Sequence, residues 1–163
     1  MSQDIGDPEG MRAPTAASRR RSAHTLHVMT DPTPYLHLPG TARQALTFYA
    51  EVFGGRAQLH TFAEFGRTDG PDEAIAHGYL VDGPVSLFAA DAFGDEPTFR
   101  CEGMMLSLLG SASPSTLRDW FGRLSDGGRV VEALETRPWG ASDGQVIDRH
   151  GLHWLIGWEG EEG

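Results

Sequence analysis

From residue 33 onward, short apolar runs and helix-period segments follow one another in an order that occurs twice. Residues 34–38, Pro-Tyr-Leu-His-Leu, are apolar and aromatic and stop at Pro39-Gly40, which predicts a strand. Thr41 and Gln44 have the spacing of a capping box. Behind them Ala42, Ala45, Leu46, Tyr49, Val52 and Phe53 recur at helical spacing and predict one buried helix face. Gly54-Gly55 supplies the positive φ on which many helices end. Strands are predicted at 56–65, 74–81 and 84–90, with Asp82-Gly83 as the turn between the last two.

After a loop around 91–100 the series repeats. A strand at 103–109 precedes Ser113, a capping residue, and Pro114, favoured in a first helical turn. Leu117, Trp120, Phe121 and Leu124 form the apolar face, and Gly127-Gly128 closes the helix. Further strands are predicted at 129–134, 145–148 and 152–158. Gly-Gly-Arg follows each helix, at 54–56 and 127–129. Two copies of strand–helix–three strands predict an internal duplication. The fold class is therefore α+β: two βαβββ modules, 32–92 and 101–160, in a single domain over 32–160. Each sheet has one face to cover with its helix and another left over. The two are expected to form a cupped half-barrel mixed sheet, helices outside and a cavity within.

Composition narrows the function. Residues 1–31 lack apolar periodicity, carry the run Arg19-Arg20-Arg21, and read as a disordered N-terminal tail, with Met29 as an alternative start. The chain has 13 basic residues, all arginine, against 23 acidic ones. Without lysine there is no Schiff base and no Walker-type phosphate loop. A net charge of −10 excludes a nucleic-acid partner, which needs a basic face. No apolar stretch is long enough to span a membrane. One cysteine, Cys101, fits a reducing compartment, so a cytoplasmic protein is expected. Gly140-x-Ser142-x-Gly144 matches a nucleophile elbow, but a strand is predicted after it where that motif requires a helix.

Several segments, in order, resemble a known family. They are Pro34-Tyr35-Leu36, then Ala45-Leu46-x-Phe48-Tyr49-x-x-Val52-Phe53-Gly54-Gly55, then His77-Gly78-x-Leu80 with Asp82-Gly83. Trp139-Gly140, Gly144-x-Val146-x-Asp148-x-x-Gly151 and Trp154 complete the set. Together they resemble the PhnB-like branch of the vicinal oxygen chelate superfamily, which includes glyoxalase, bleomycin resistance and dioxygenase proteins. The resemblance implies paired βαβββ modules, a homodimer and a pocket inside the curved sheet. It fixes no reaction, since one fold hosts many functions.

In catalytic members of that superfamily a divalent metal is held by residues on the first and last strands of each module. Motif matching puts those positions near Pro34, His77, Met104 and Leu155. Only His77 is an ordinary ligand, whereas a catalytic site needs about three. The metal site reads as degenerate and no cofactor is predicted. Strand alternation places His77 with Tyr79, and His153 with Leu155, on pocket-facing sides, and Trp154 toward the helices. The expected ligand-binding residues are His77, Tyr79, Leu36, Met104, Trp139, His153 and Leu155. His37 reads as out of phase with Pro34, and the phase of His60 is open. The leading expectation is a binder of a small apolar or aromatic molecule. Its alternative is a metal-dependent lyase, isomerase or dioxygenase with a displaced metal site.

Overall fold

The structure, a computed structural model, describes residues 31–160. The expectation of a disordered tail falls on residues before Asp31 and lies outside the described residues. The element order is β1 (Tyr35–Leu38), α1 (Ala42–Phe53), β2 (Arg56–Thr61), α2 (Phe62–Phe65), β3 (Ile75–Val81) and β4 (Phe88–Asp91). The second series is β5 (Leu106–Leu109), α3 (Pro114–Ser125), β6 (Arg129–Thr136), β7 (Ser142–Ile147) and β8 (His153–Trp158). The sheets run β1-β4-β3-β2 and β5-β8-β7-β6. In each, the first and last strands pair parallel and the other pairs are antiparallel. These are two βαβββ modules, α+β, and the half-barrel they make is open, not closed.

The helices join the modules. The six apolar residues expected on α1 are buried, as are Leu117, Trp120 and Leu124 of α3. Gly78 lets α1 approach its sheet: a Cβ there would come within 2.5 Å of Leu46 Cδ1. Phe53 packs edge-on against Trp120 at 5.2 Å and tilted against Trp154 at 5.1 Å, so one apolar core runs through both modules. Two buried carboxylates hold it. Asp148 accepts from Tyr49 Oη and Trp154 Nε1 through Oδ2, and from the His150 and Leu152 amides through Oδ1, at 2.8–3.1 Å. Asp91 accepts from the Ala42 and Ile75 amides, both at 2.8 Å.

Some local expectations are corrected. Thr41 is the residue before α1 but its side chain caps nothing; Asp91 on β4 takes the Ala42 amide in its place. The strand expected over 56–65 stops at Thr61, because Thr61 and Glu64 form a full capping box and turn Phe62–Phe65 into a helical turn. The strand expected from 84 begins at Phe88, after a longer turn in which Asp82 takes φ 59°. The strand expected from 103 begins at Leu106. Ser113 caps α3 as its sequence predicts, accepting from the Thr116 amide. Ser142 lies buried within β7, hydrogen-bonded to Thr136 Oγ1 at 3.0 Å, and occupies no strand-to-helix elbow.

Candidate functional site

With one face of each sheet under its helix, the opposite face is left for chemistry. In the first module the register sorts the residues. Leu36, Leu38, Leu80 and Ala89 point to the core, so their neighbours Tyr35, His37, Tyr79, Phe88 and Ala90 lie on the other face. Cross-strand pairing arranges that face in rows. Tyr35, Phe88, Tyr79 and Gln58 form one, and His37, Ala90, His77 and His60 form the next, since Tyr79↔Phe88 and Gly78↔Ala89 continue to His77 and Ala90.

The rings touch across the rows. His77 lies 5.4 Å from Tyr79, 5.5 Å from Phe88 and 5.7 Å from Tyr35, the last stacked at 27°. Tyr79 meets His60 at 6.0 Å and Phe88 at 6.1 Å, and Tyr35 meets His37 at 5.5 Å. Tyr35 Oη and His77 Nδ1 are 3.0 Å apart, a hydrogen bond reaching over the small Ala90. Tyr35 is 43% exposed, and His60, His77, Tyr79 and Phe88 are half-buried. The result is a continuous aromatic surface with imidazole edges, only partly covered by its own chain.

Its electrostatics favour neutral rings. Burial, and secondarily the nearby His60, holds the His77 imidazole below the ordinary histidine value. Burial raises the Tyr35 phenol, against the pull of Arg67. His150, beside Asp148 in the core, is also lowered by burial, with Asp148 opposing and Arg149 assisting. The consequence for stability has a definite sign. Above about pH 6.5 both imidazoles are neutral, folded or unfolded. As pH falls below that value the unfolded chain protonates first and gains, so the fold loses stability until the lowered native values are passed. Thermal unfolding is expected to drop between pH 7 and pH 5, and less steeply in His77→Gln. An equal slope in the variant would contradict this assignment.

The second module's open face differs. Val146, Trp154 and Ile156 are fully buried, leaving Asp143, Gln145, Ile147, His153 and Leu155 on the other side. Asp143 pairs with Arg137 at 2.8 Å, and Gln145 donates to Glu132 at 2.8 Å. His153 Nε2 is buried without a hydrogen-bond partner. A separate groove of about 500 Å³ lies between α1 and α3, lined by Phe48, Arg118, Arg123 and Arg149 among others. There Arg149 is tied to Asp126 and stacks over Phe48, and Arg123 is tied to Asp119.

The expected site residues therefore divide. His77 and Tyr79 share the ring surface, and His153 with Leu155 occupies the second open face. Leu36 does not line a pocket: it is 3% exposed, in the core beneath α1. The phase of β1 is the reverse of that expected from Pro34, because Leu36 and Leu38 are the apolar pair that the core takes in. His37 is consequently in phase with Tyr35. Met104 is 50% exposed just before β5, and Trp139 is 73% exposed after β6, so neither joins the rings around His77. His77 sits on β3, not on the last strand of its module, so the four motif-matched metal positions do not form one set. Among the described residues no group of three or more His, Cys, Asp or Glu is placed to hold a metal ion. His77 Nδ1 is engaged by Tyr35, and Pro34, Met104 and Leu155 offer no hard donor; these residues do not fit a catalytic divalent cation. Tyr35 and Phe88 are the site residues the sequence reading missed, and alternation from Leu36 points to the first; His60, whose phase the sequence leaves open, is set on this face by its pairing with His77.

Comparisons with known proteins place this geometry. No family model matches the chain. An uncharacterized protein of Mycobacterium bovis, Mb0911c, is 31% identical over 125 residues, covering 71% of this chain and 75% of its own. Protein YjdN of Escherichia coli is 25% identical and covers 76% and 92%. Among solved structures, protein PA1353 from Pseudomonas aeruginosa is 29% identical with a TM-score of 0.67, covering 82% of this chain and all of its own. A structure from Bacillus cereus described as a putative 3-demethylubiquinone-9 3-methyltransferase, PhnB protein, has a TM-score of 0.63 at 19% identity, covering 78% and 98%. That last likeness is one of fold.

Proposed function

We propose that the chain, which is in one family with the Mycobacterium bovis relative and whose paired βαβββ modules have the fold of the vicinal oxygen chelate proteins its sequence resembles, binds a small apolar or aromatic molecule on the ring surface of its first module. The observation that carries the reading is the pair of cross-strand rows. Tyr35, His77, Tyr79 and Phe88 form a contiguous, half-buried aromatic floor on the sheet face turned away from the core. A monomer gains nothing in stability by leaving such a floor partly open, and apolar ligands are held by surfaces of this kind.

The floor needs a roof, and the occupant we propose is a second copy of the chain. Its second module offers a face of different chemistry, with Leu155 and His153 on the same side as the Asp143 and Glu132 carboxylates and the Gln145 amide. Oxygen acceptors opposite histidine N–H donors are complementary in hydrogen bonding, and a twofold arrangement makes two equal sites. Sedimentation equilibrium at micromolar concentration is expected to give a dimer; a monomer throughout would contradict the arrangement.

Binding is tested by calorimetric titration with a neutral, naphthalene-sized aromatic. Micromolar binding is expected for the native protein. Tyr79→Ala should weaken it about three- to tenfold, the worth of one aromatic contact. No binding, or binding indifferent to Tyr79→Ala, would overturn the reading.

A further inference from the structure

The hydrogen bond between Tyr35 and His77 is not needed for an apolar floor, and it has a directional consequence. Phenol is the better donor of the two groups, and a bare imidazole nitrogen is the better acceptor. When both rings are neutral, the Tyr35 hydroxyl therefore donates to Nδ1, and the one remaining ring proton must sit on Nε2. Ala90 makes this possible. It stands between His37 and His77 in the row, and only a small side chain there lets Tyr35 lean across β4 to reach His77.

We infer that Tyr35 is a positioning residue that locks His77 in the Nε2–H form, so that the aromatic floor carries one oriented N–H donor and selects planar aromatic molecules bearing a carbonyl-type acceptor. The inference rests on the binding reading above and adds the ligand's polar feature to it. The groups facing His77 are Tyr35 and His37 from β1, Phe88 and Ala90 from β4, His60 from β2 and Tyr79 on its own strand. None of them is a carboxylate that would draw a second proton onto the ring. The lowered proton affinity of His77 agrees with a ring that stays neutral near pH 7.

Two readouts separate the inference from the reading beneath it. The first needs no ligand: long-range proton–nitrogen correlation spectra of the full chain labelled with ¹⁵N-histidine, with His77 assigned by its loss in His77→Gln. The expected pattern is a protonated Nε2 and a hydrogen-bonded, unprotonated Nδ1. In Tyr35→Phe and in Ala90→Val the Nδ1 signal should move to the position of an unbonded nitrogen. A proton on Nδ1 in the native protein, or a signal unmoved by Tyr35→Phe, overturns the lock. Tyr35 is 43% exposed and outside the core, so its variant should fold, and its melting temperature checks this.

The second readout compares 2-acetylnaphthalene with 2-isopropenylnaphthalene, near-isosteres that differ in the acceptor. The ketone is expected to bind about three- to tenfold tighter, one neutral hydrogen bond, and the preference should vanish in His77→Phe. Equal affinity for the two overturns the selection even where the lock is observed. If neither probe binds while the Nε2–H form is present, the binding reading fails and takes the selection with it, and the positioning role of Tyr35 stands alone.

Discussion

Asp148→Ala is expected to destabilise the fold by about 3–5 kcal/mol, because unpartnered buried donors each cost about 1–3 kcal/mol and do not add fully. Four donors converge on that carboxylate: the Tyr49 hydroxyl, the Trp154 indole, and the His150 and Leu152 amides. Tyr49 and Trp154 are both fully buried. The Tyr49 phenol is pushed far up by burial and by the Asp148 carboxylate, so it stays a donor at every working pH. Tyr49 comes from α1 and Trp154 from β8, so the carboxylate ties the first module's helix to the second module's last strand. A loss of that size is a large part of a typical domain's stability. It should lower the melting temperature by about 10–20 °C. Asp148→Asn is expected to recover only part of it, because its amide nitrogen would face the indole N–H, which cannot turn into an acceptor. Full recovery in Asp148→Asn would show that charge and donor count matter less than shape.

Asp91→Ala should cost about 2–4 kcal/mol by the same physics at a different place. Its two oxygens take the first amide of α1 and the first amide of β3, so it closes the first module between its helix start and its central strand. Backbone amides at a helix start have no partner of their own, and this start lies under the sheet where water does not replace the lost bond. The ring surface sits on β1, β3 and β4, so this variant should also loosen the site. The check is chemical unfolding together with amide exchange. Exchange at Ala42 and Ile75 should accelerate beyond the change in global stability, and unchanged protection at both would contradict the role.

These two carboxylates mark what the sequence could and could not tell. The helix faces, the duplication and the phase of β3 and β8 were legible because each is local: periodicity of 3.6 or 2 decides them within a dozen residues. Asp91 acts on amides 16 and 49 residues away, and Asp148 adds to its local partners the Tyr49 hydroxyl 99 residues away; no spacing rule reaches that far. Thr41 illustrates the same limit, since a correct local capping pattern lost to a carboxylate brought in by the fold. Two misses were avoidable. Thr61-x-x-Glu64 is a capping signal inside what reads as one long strand, and Leu36-x-Leu38 states the phase of β1 more directly than a motif match anchored on Pro34. With that phase, Tyr35 and His37 fall beside His77, and most of the ring surface follows from alternation alone. What alternation does not give is the order of strands, and only β4 lying between β1 and β3 brings Tyr35 within reach of His77.

The ring surface on β1, β3 and β4 competes for a ligand with grooves elsewhere on the described residues, among them the arginine-lined one between α1 and α3. The most direct test is a methyl and amide NMR footprint of 2-acetylnaphthalene on the full chain, titrated to saturation. Shifts are predicted at Tyr35, His77, Tyr79, Phe88 and Ala90, with Gly122 and Arg149 unmoved. Shifts confined to the helix groove, with the β1–β4–β3 face silent, would contradict the account.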